Sequence, residues 1–358
     1  MPTPLPLDRP VRVGIVGLGQ VFELAGRAYL NHPDAEVVAL CDTREDRLAT
    51  RGAEFPGAVR YPDLDAFLGA ELDLVEVLVP TPGHCEVTCA ALAAGHHVNL
   101  MKPIATSMDE VARMIAARDA AGAVLRVAED YVFYEPIQAL RKVIESGAIG
   151  DPVGFHMKFV STGRGGWEIP SDAWKWEFEE AKRGRPLLTF DHGWHQFAVD
   201  HWLLGPVARV MAWVGHAEIT PEIVLDAPTT IMWDHTGGAR GVFDITLAMD
   251  TLWPSKYWTG EERFEVTGTR GFARVPYLTA YGLGGAPLQV YAEGNLREFH
   301  DLDADYGHSF RRSTTAFLQY LRTGEGEVPF TAEDGGRILA TILAALESSR
   351  VDAPVTVT

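Results

Sequence analysis

Two periodicities divide the chain. From residue 11 to about 128, short unbroken apolar runs alternate with stretches whose apolar positions recur every three or four residues. The runs "VRVGIV", "AEVVALCD", "LDLVEVLVP", "HHVNLM" and "VLRVAED" read as strands buried on both faces. Between them "GLGQVFELAGRAYL", a segment opening at "TREDRLATRG", "GHCEVTCAALAAG" and "SMDEVARMIAARDAAG" read as helices, the second with Thr43 as its N-cap. Strand and helix in this alternation predict a parallel sheet covered on both sides.

After a glycine-closed helix at "EPIQALRKVIESGAIG" the texture changes. "DPVGFHMKFV", "ARVMAWVGHAEI", "TTIMWDHTGGARGVFDITLAM", "ERFEVTGTRGFARVPY" and "PLQVYAEG" are longer and alternate, which predicts a mostly antiparallel sheet. Helices are expected across residues 191 to 204, at "SFRRSTTAFLQYLRTG" and at "TAEDGGRILATILAALESSR", the last opened by Thr331 and Glu333 in a capping arrangement.

Composition narrows the classes. A length of 358 residues suits two domains, and 47% hydrophobic against 22% charged residues is a globular balance. A net charge of -18 repels nucleic acid phosphate and anionic membrane surfaces, so neither is an expected partner. The N-terminus lacks signal-peptide order and no apolar run reaches the ~18 residues of a membrane span. Cys41, Cys85 and Cys89 cannot all pair, and none of their spacings is a zinc knuckle. A reduced, cytoplasmic protein is expected.

Chemistry enters first at "VGIVGLGQVF". Gly17-x-Gly19 follows a strand and precedes a helix, where a tight turn lets the backbone approach a pyrophosphate at the helix N-terminus, with Gln20 and Val21 next in line. The third motif position is Phe22 rather than a small residue, so the helix must pack less closely on its strand. Asp42 ends the second strand, 20 residues beyond Phe22, where a carboxylate binds an adenosine ribose and repels a 2′-phosphate. NAD is therefore expected ahead of NADP, with Arg44 as the one nearby feature that suits NADP. The expected architecture is α/β: a Rossmann dinucleotide-binding domain over residues 1–128, then an α+β domain over 129–358 with a large, mostly antiparallel open sheet for substrate binding and oligomerisation.

A second chemical stretch is "LLTFDHGWHQF". Asp191 and His195 are four apart and share a face of an ideal helix, with His192 beside them. Catalytic groups, core residues and metal ligands all answer to that composition. A metal site would recruit Asp191, His192, His195, Asp200 and His201, but the i,i+3 histidine spacing argues against zinc, and no metal is expected. Asp200 and His201 are expected to brace their helix against the sheet.

"MKPIATSMDEVARMI", together with "VPTPGHCEVTCAALAAGHHV", "YEPIQALRKVIESGAIGDPV" and "HSFRRSTTAFLQYLRTG", resembles the Gfo/Idh/MocA oxidoreductases (glucose–fructose oxidoreductase, inositol dehydrogenase and relatives) from about residue 11 onward. The resemblance implies hydride exchange between nicotinamide and a carbinol carbon of a sugar, polyol or related ring, in dimers or tetramers. It implies a catalytic lysine from a Glu-Lys-Pro motif, here Met101-Lys102-Pro103, and an Asp-x-x-x-His pair, here Asp191 and His195. Pro103 would shape the nicotinamide pocket, Thr81, Pro82 and His84 would line the cofactor cleft, and Asp130 and Tyr131 would lie near the nicotinamide. Histidine is a base suited to removing the hydroxyl proton, and a lysine can stabilise developing alkoxide.

Two departures from the family pattern stand out. Met101 replaces the usual Glu, which bears on cofactor affinity or the positioning of Lys102, and Lys182, Arg183 and Arg185 replace a glycine-rich stretch, which predicts a basic entrance and admits an anionic group on the substrate. Arg164, Trp167, Trp174 and Trp176 are candidates for stacking on a sugar face, as His192 is for substrate contact. Two competing functions follow from the same residues: an NAD-dependent glycosidase or lyase working through transient sugar oxidation, and a non-catalytic cofactor sensor. Retention of Lys102, Asp191 and His195 together argues against a sensor.

Overall fold

The computed structural model describes residues 5, 9–167, 173, 175–221, 223–258, 260–279, 284–326, 328 and 330–358. They group into two compact units, Met1–Asp130 with Phe310–Leu339, and Tyr131–Ser309 with Ala340–Thr358.

In the first unit the unbroken apolar runs become β1 (Val11–Val16), β2 (Ala35–Cys41), β4 (Leu74–Val77), β5 (His97–Met101) and β6 (Leu125–Ala128), with a short β3 (Val59–Tyr61) at the edge. All pair in parallel in the order β3-β2-β1-β4-β5-β6. Every residue of β4 and β6 is buried, as a sheet covered on both faces requires. The helices are α1 (Glu45–Gly52), α2 (Leu64–Leu68), α3 (His84–Ala93) and α4 (Met108–Ala121). Ser107 caps α4 by accepting the Glu110 N–H, and Gly122 ends it in the left-handed region at φ 62°.

Three local expectations are corrected. The segment after β1 is two 3₁₀ turns, Gln20–Glu23 and Gly26–Tyr29, rather than one α-helix. The fully buried Phe22 ring stands edge-on to Phe55 at 6.1 Å and so close to Gly26 that a Cβ there would meet it at 2.3 Å. The ring takes the room a closely packed helix would need, and the chain winds in tighter turns. Thr43 does not cap α1: Arg44 occupies that position without a side-chain cap, and the Arg44 N–H donates to Asp42 instead. At the last helix the capping partner of Thr331 is Asp334, which accepts the Thr331 N–H at 3.1 Å, while Glu333 pairs with Arg118.

The stretch 310–339 groups with the first unit, whereas the sequence division at residue 128 ran it with the second. Specific long-range bonds tie it there. Arg126 donates to the Ser313 hydroxyl and carbonyl, the Val127 N–H donates to the Phe330 carbonyl at 2.9 Å, and Arg118 forks onto Glu333.

The second unit is built on a nine-stranded sheet. Its strands are β7 (Pro152–Arg164), β8 (Val207–Trp213), β11 (Thr229–His235), β12 (Arg240–Leu252), β13 (Gly260–Gly268), β14 (Gly271–Val275), β15 (Leu288–Ala292), β16 (Asn295–Phe299) and β17 (Val355–Thr356). A separate hairpin pairs β9 (Ala217–Thr220) with β10 (Ile223–Leu225). The order is β16-β15-β14-β13-β7-β12-β11-β8-β17, antiparallel except where β12 meets β7. Strict alternation of buried and half-buried residues along β11 shows one packed and one open face. Helices α5 (Glu135–Glu145), α6 (Lys175–Lys182) and α7 (Gly193–Leu204) belong to this unit, and α8 (Gly307–Thr323) and α9 (Ala332–Val351) complete the chain. Among the described residues no helix is long and apolar enough to cross a membrane.

Candidate functional site

The glycine loop is built for close approach. Gly17 sits at φ 89°, and a Cβ there would lie 2.6 Å from the backbone after β4, so only glycine fits. At Gly19 a Cβ would meet nothing nearer than the Arg47 guanidinium, at 3.6 Å, which leaves the backbone open to a phosphate. Gln20 and Val21 follow in the first 3₁₀ turn, both half-buried.

Asp42, one residue past β2, ties this loop to the second strand. Its Oδ2 accepts the Leu18 N–H at 2.8 Å and its Oδ1 accepts the Arg44 N–H at 2.8 Å. Each carboxylate oxygen has a second lone pair, so both can still accept a ribose hydroxyl. Arg44 forks onto Asp46, at 3.0 and 2.6 Å, which holds that carboxyl below its usual range. Arg47 lies 3.7 Å from Asp42 and nearest the open side of Gly19, a position that no sequence motif marks.

Lys102 and Pro103 follow β5 and are joined by a cis peptide. The buried His84 ring holds this corner, with Nδ1 2.8 Å from the Pro103 carbonyl and Nε2 2.9 Å from the Val79 carbonyl. Thr81 is buried and Pro82 exposed in the turn that leads into α3. Asp130 is buried, and burial pushes its carboxyl up to about 7, helped by Glu129 and opposed by Arg126, a Ser313 hydrogen bond and Lys102. The Lys102 charge thus acts on Asp130 within one unit.

In the second unit Asp191 and His195 fall on different helix types. Residues Leu187–His192 form a π turn and α7 begins at Gly193, so the ideal-helix arithmetic that put the pair on one face does not carry across the junction. The turn is held by Asp226, which accepts the Leu188 and Thr189 N–H groups at 2.8 and 2.7 Å. Burial raises the Asp226 carboxyl above its usual range. His195 is buried with its ring stacked on Tyr131, centroids 4.1 Å apart and planes 9° apart. His192 packs on Phe159 at 4.0 Å, and its Nε2 lies 3.0 Å from Glu262, a fully buried carboxylate on β13. Nothing in the local sequence marks Glu262, whose partners Tyr131 and His192 are 131 and 70 residues away in number. Asp200 braces α7 through His235 of β11 at 3.0 Å, as expected of it.

The basic stretch is partly paired. Lys182 pairs with Glu179, and Arg183 and Arg185 share the buried Glu180 at 2.6 and 2.5 Å, so two carboxylates offset two of the three charges. Arg164 ends β7 exposed, donating to the Asp250 carbonyl at 3.3 Å. Trp167 stands edge-on to Tyr257 at 5.8 Å, Trp176 is half-buried on α6, and Trp174 lies outside the described residues. Among the described residues no three His, Cys, Asp or Glu side chains gather as a metal site.

A family model described as an oxidoreductase family with an NAD-binding Rossmann fold matches residues 11–129, and one for the GFO/IDH/MocA C-terminal domain matches residues 137–274. The chain is 26% identical over 345 residues to a D-apiose dehydrogenase of Rhizobium rhizogenes, covering 94% of each. It is 29% identical over 344 residues to a myo-inositol 2-dehydrogenase of Thermotoga maritima, covering 94% of this chain and 96% of that one. In fold it matches a crystal structure of an oxidoreductase from Agrobacterium radiobacter in complex with NAD+, L-tartaric acid and magnesium. The TM-score is 0.82 at 23% identity, over 98% of this chain and 99% of that one.

Proposed function

Because the chain belongs to the Gfo/Idh/MocA oxidoreductase family, we propose that it is an NAD-dependent dehydrogenase that moves a hydride between nicotinamide and a carbinol carbon of a sugar, cyclic polyol or sugar derivative. The observation that carries the cofactor is Asp42 bonded to the glycine loop at Leu18, with Gly17 and Gly19 leaving the backbone on either side of Leu18 without side chains. The apiose and inositol dehydrogenases among its relatives support the substrate class. Bound nicotinamide supplies the hydride acceptor. The protein's own residues handle the proton: His195 takes it from the hydroxyl, Asp191 orients the ring or a neighbouring hydroxyl, and Lys102 stabilises charge developing on the reacting oxygen. Thr81, Pro82, His84, Pro103 and Asp130 are assigned to the cofactor, and Tyr131, His192, Arg164, Trp167 and Trp174 to the substrate. NAD reduction followed by absorbance across a panel of sugars and cyclic polyols tests the reading; no rise with any member sinks it.

For the cofactor itself NAD is favoured, since Asp42 opposes a 2′-phosphate and the nearby Arg44 is already forked onto Asp46. The wild-type protein is expected to prefer NAD to NADP in kcat/KM by more than about tenfold, and Asp42→Ala to erase most of that preference through loss on the NAD side. A wild-type preference for NADP overturns the assignment.

The open face of the nine-stranded sheet carries the half-buried Met232 and Val242 beside Asp234 and Asp244, a mixed surface suited to a second copy. A homodimer or homotetramer is expected by light scattering, and a monomeric mass at micromolar concentration contradicts it. The three free thiols suit a reducing compartment such as the cytoplasm.

A further inference from the structure

Glu262 lies on β13 as a fully buried carboxylate, yet the proton chemistry proposed above makes no use of it. Its Oε1 accepts the Tyr131 phenol at 2.8 Å and the Trp258 indole N–H at 3.3 Å, and it lies 3.0 Å from His192 Nε2. Two hydrogen-bond donors, Tyr131 and the nearby Trp258, and the His192 ring nitrogen converge on one oxygen. The other oxygen, Oε2, is buried with no hydrogen-bond partner among the described residues. A carboxylate so far from water is stable only where donors are aimed at it, so the surrounding rings are arranged to serve the charge.

The arrangement dictates which histidine nitrogen carries hydrogen. An ionised Glu262 accepts and cannot donate, so the 3.0 Å contact calls for the proton on His192 Nε2, and in the neutral ring Nδ1 is then the basic nitrogen. The Gln196 amide nitrogen approaches the same Nε2 at 3.5 Å, too distant to compete with the 3.0 Å contact. The Phe159 ring against His192 restricts its rotation. Tyr131, tethered through its hydroxyl, lies flat on His195.

We propose that Glu262 is the positioning residue of this site: it holds His192, whose ring stands 5.9 Å from that of His195, as the Nε2–H tautomer with a basic Nδ1, and through Tyr131 it fixes the plane of the His195 ring. The tautomer rests on the 3.0 Å contact with an ionised Glu262, while the catalytic consequence rests on the dehydrogenase reading. Glu262 needs no contact with substrate to act in this way. Its role parallels that of any buried carboxylate that orients an imidazole through one ring nitrogen so that the other faces the chemistry.

Nitrogen NMR of protein labelled at its histidine rings, with the His192 signals assigned by their loss in His192→Gln, reads the tautomer directly. The wild-type protein is expected to show His192 protonated at Nε2. Glu262→Gln, nearly the same size but uncharged, is expected to mix the two tautomers and to lower kcat by on the order of ten- to a hundredfold, with NADH binding unchanged. Tyr131→Phe is expected to keep the His192 tautomer and lose less activity. His192 protonated at Nδ1 in the wild type, or Glu262→Gln with both tautomer and kcat intact, overturns the proposal. Should Glu262→Gln fail to fold, the wild-type spectrum and Tyr131→Phe still decide. If the wild type oxidises no sugar with either cofactor, the dehydrogenase reading falls, while the tautomer measurement still settles Glu262.

Discussion

His195→Ala and Lys102→Ala are each expected to lower kcat by roughly 10²- to 10⁴-fold while the protein stays folded and NADH binding, read by fluorescence, stays within a few fold. The magnitude comes from the chemistry assigned to each. Hydride cannot leave the carbinol carbon without its hydroxyl proton departing, and a histidine is already near the working pH range for that transfer. Without Lys102 the developing alkoxide loses its cation, and Lys102→Arg is not a rescue, because a planar fork does not replace a point charge. Asp191→Asn is expected to cost less than either, since its role is to orient. Effects within one proton-transfer set are not additive, so the double variant should be little worse than the poorer single one. Retained turnover in both single variants would remove these residues from the mechanism.

What the sequence made legible had local causes. The unbroken apolar runs announce the six-stranded parallel sheet, because strands buried on both faces have no polar side to alternate with. Gly17 and Asp42 were readable because a left-handed turn and a strand-end carboxylate each leave a signature in the residue itself. Phe22 was readable only as a difficulty: the bulk was visible, but not that Gly26 would absorb it by opening the segment into 3₁₀ turns. The π turn at Leu187–His192 was hidden because its cause, Asp226, lies 38 residues downstream of Leu188 and approaches only in the folded unit.

The same reason hid Glu262 and mis-sorted residues 310–339. Glu262 meets Tyr131 across 131 positions, and Arg126 meets Ser313 across 187, so no window of sequence contains either pair. "KRGRPLLTFD" misled in the opposite direction. Three cations in four positions read as a basic entrance, whereas two acids that offset most of that charge, Glu179 and Glu180, stand a few residues upstream on α6. Charge density along a chain predicts field only after local pairing is subtracted.

The largest effect on stability is expected at Arg126. Three neighbouring strands bring Glu76, Asn99 and Arg126 into one row across the parallel sheet, through the register pairs Glu76 with Asn99 and Asn99 with Arg126. Glu76 accepts the Tyr29 phenol at 2.7 Å and the Asn99 amide at 2.6 Å, and Arg126, fully buried, donates to Ser313 and stands over the Phe317 ring at 5.2 Å. Burial pushes both Glu76 and Asp130 up to about 7, and the Arg126 charge pulls against that rise in each. Arg126→Met keeps the volume but removes the cation and its anchors to residues 310–339. Breaking a buried charge set from one side costs about 3–5 kcal/mol, or a fall in Tm of roughly 10 °C for a unit of this size. The pH dependence has a definite sign. Acids whose folded pKa is raised contribute stability that is fully present below their unfolded values and is lost as pH rises through about 7. The loss on Arg126→Met should therefore be larger at pH 8, where the carboxylates are charged without their cation, than at pH 5, where they are protonated. Adding Glu76→Gln to Arg126→Met should recover part of the deficit at pH 8 and little at pH 5. Thermal unfolding of the three variants at both pH values measures this, and an Arg126→Met deficit that is small, or no greater at pH 8 than at pH 5, would show that the row is held by packing rather than by charge.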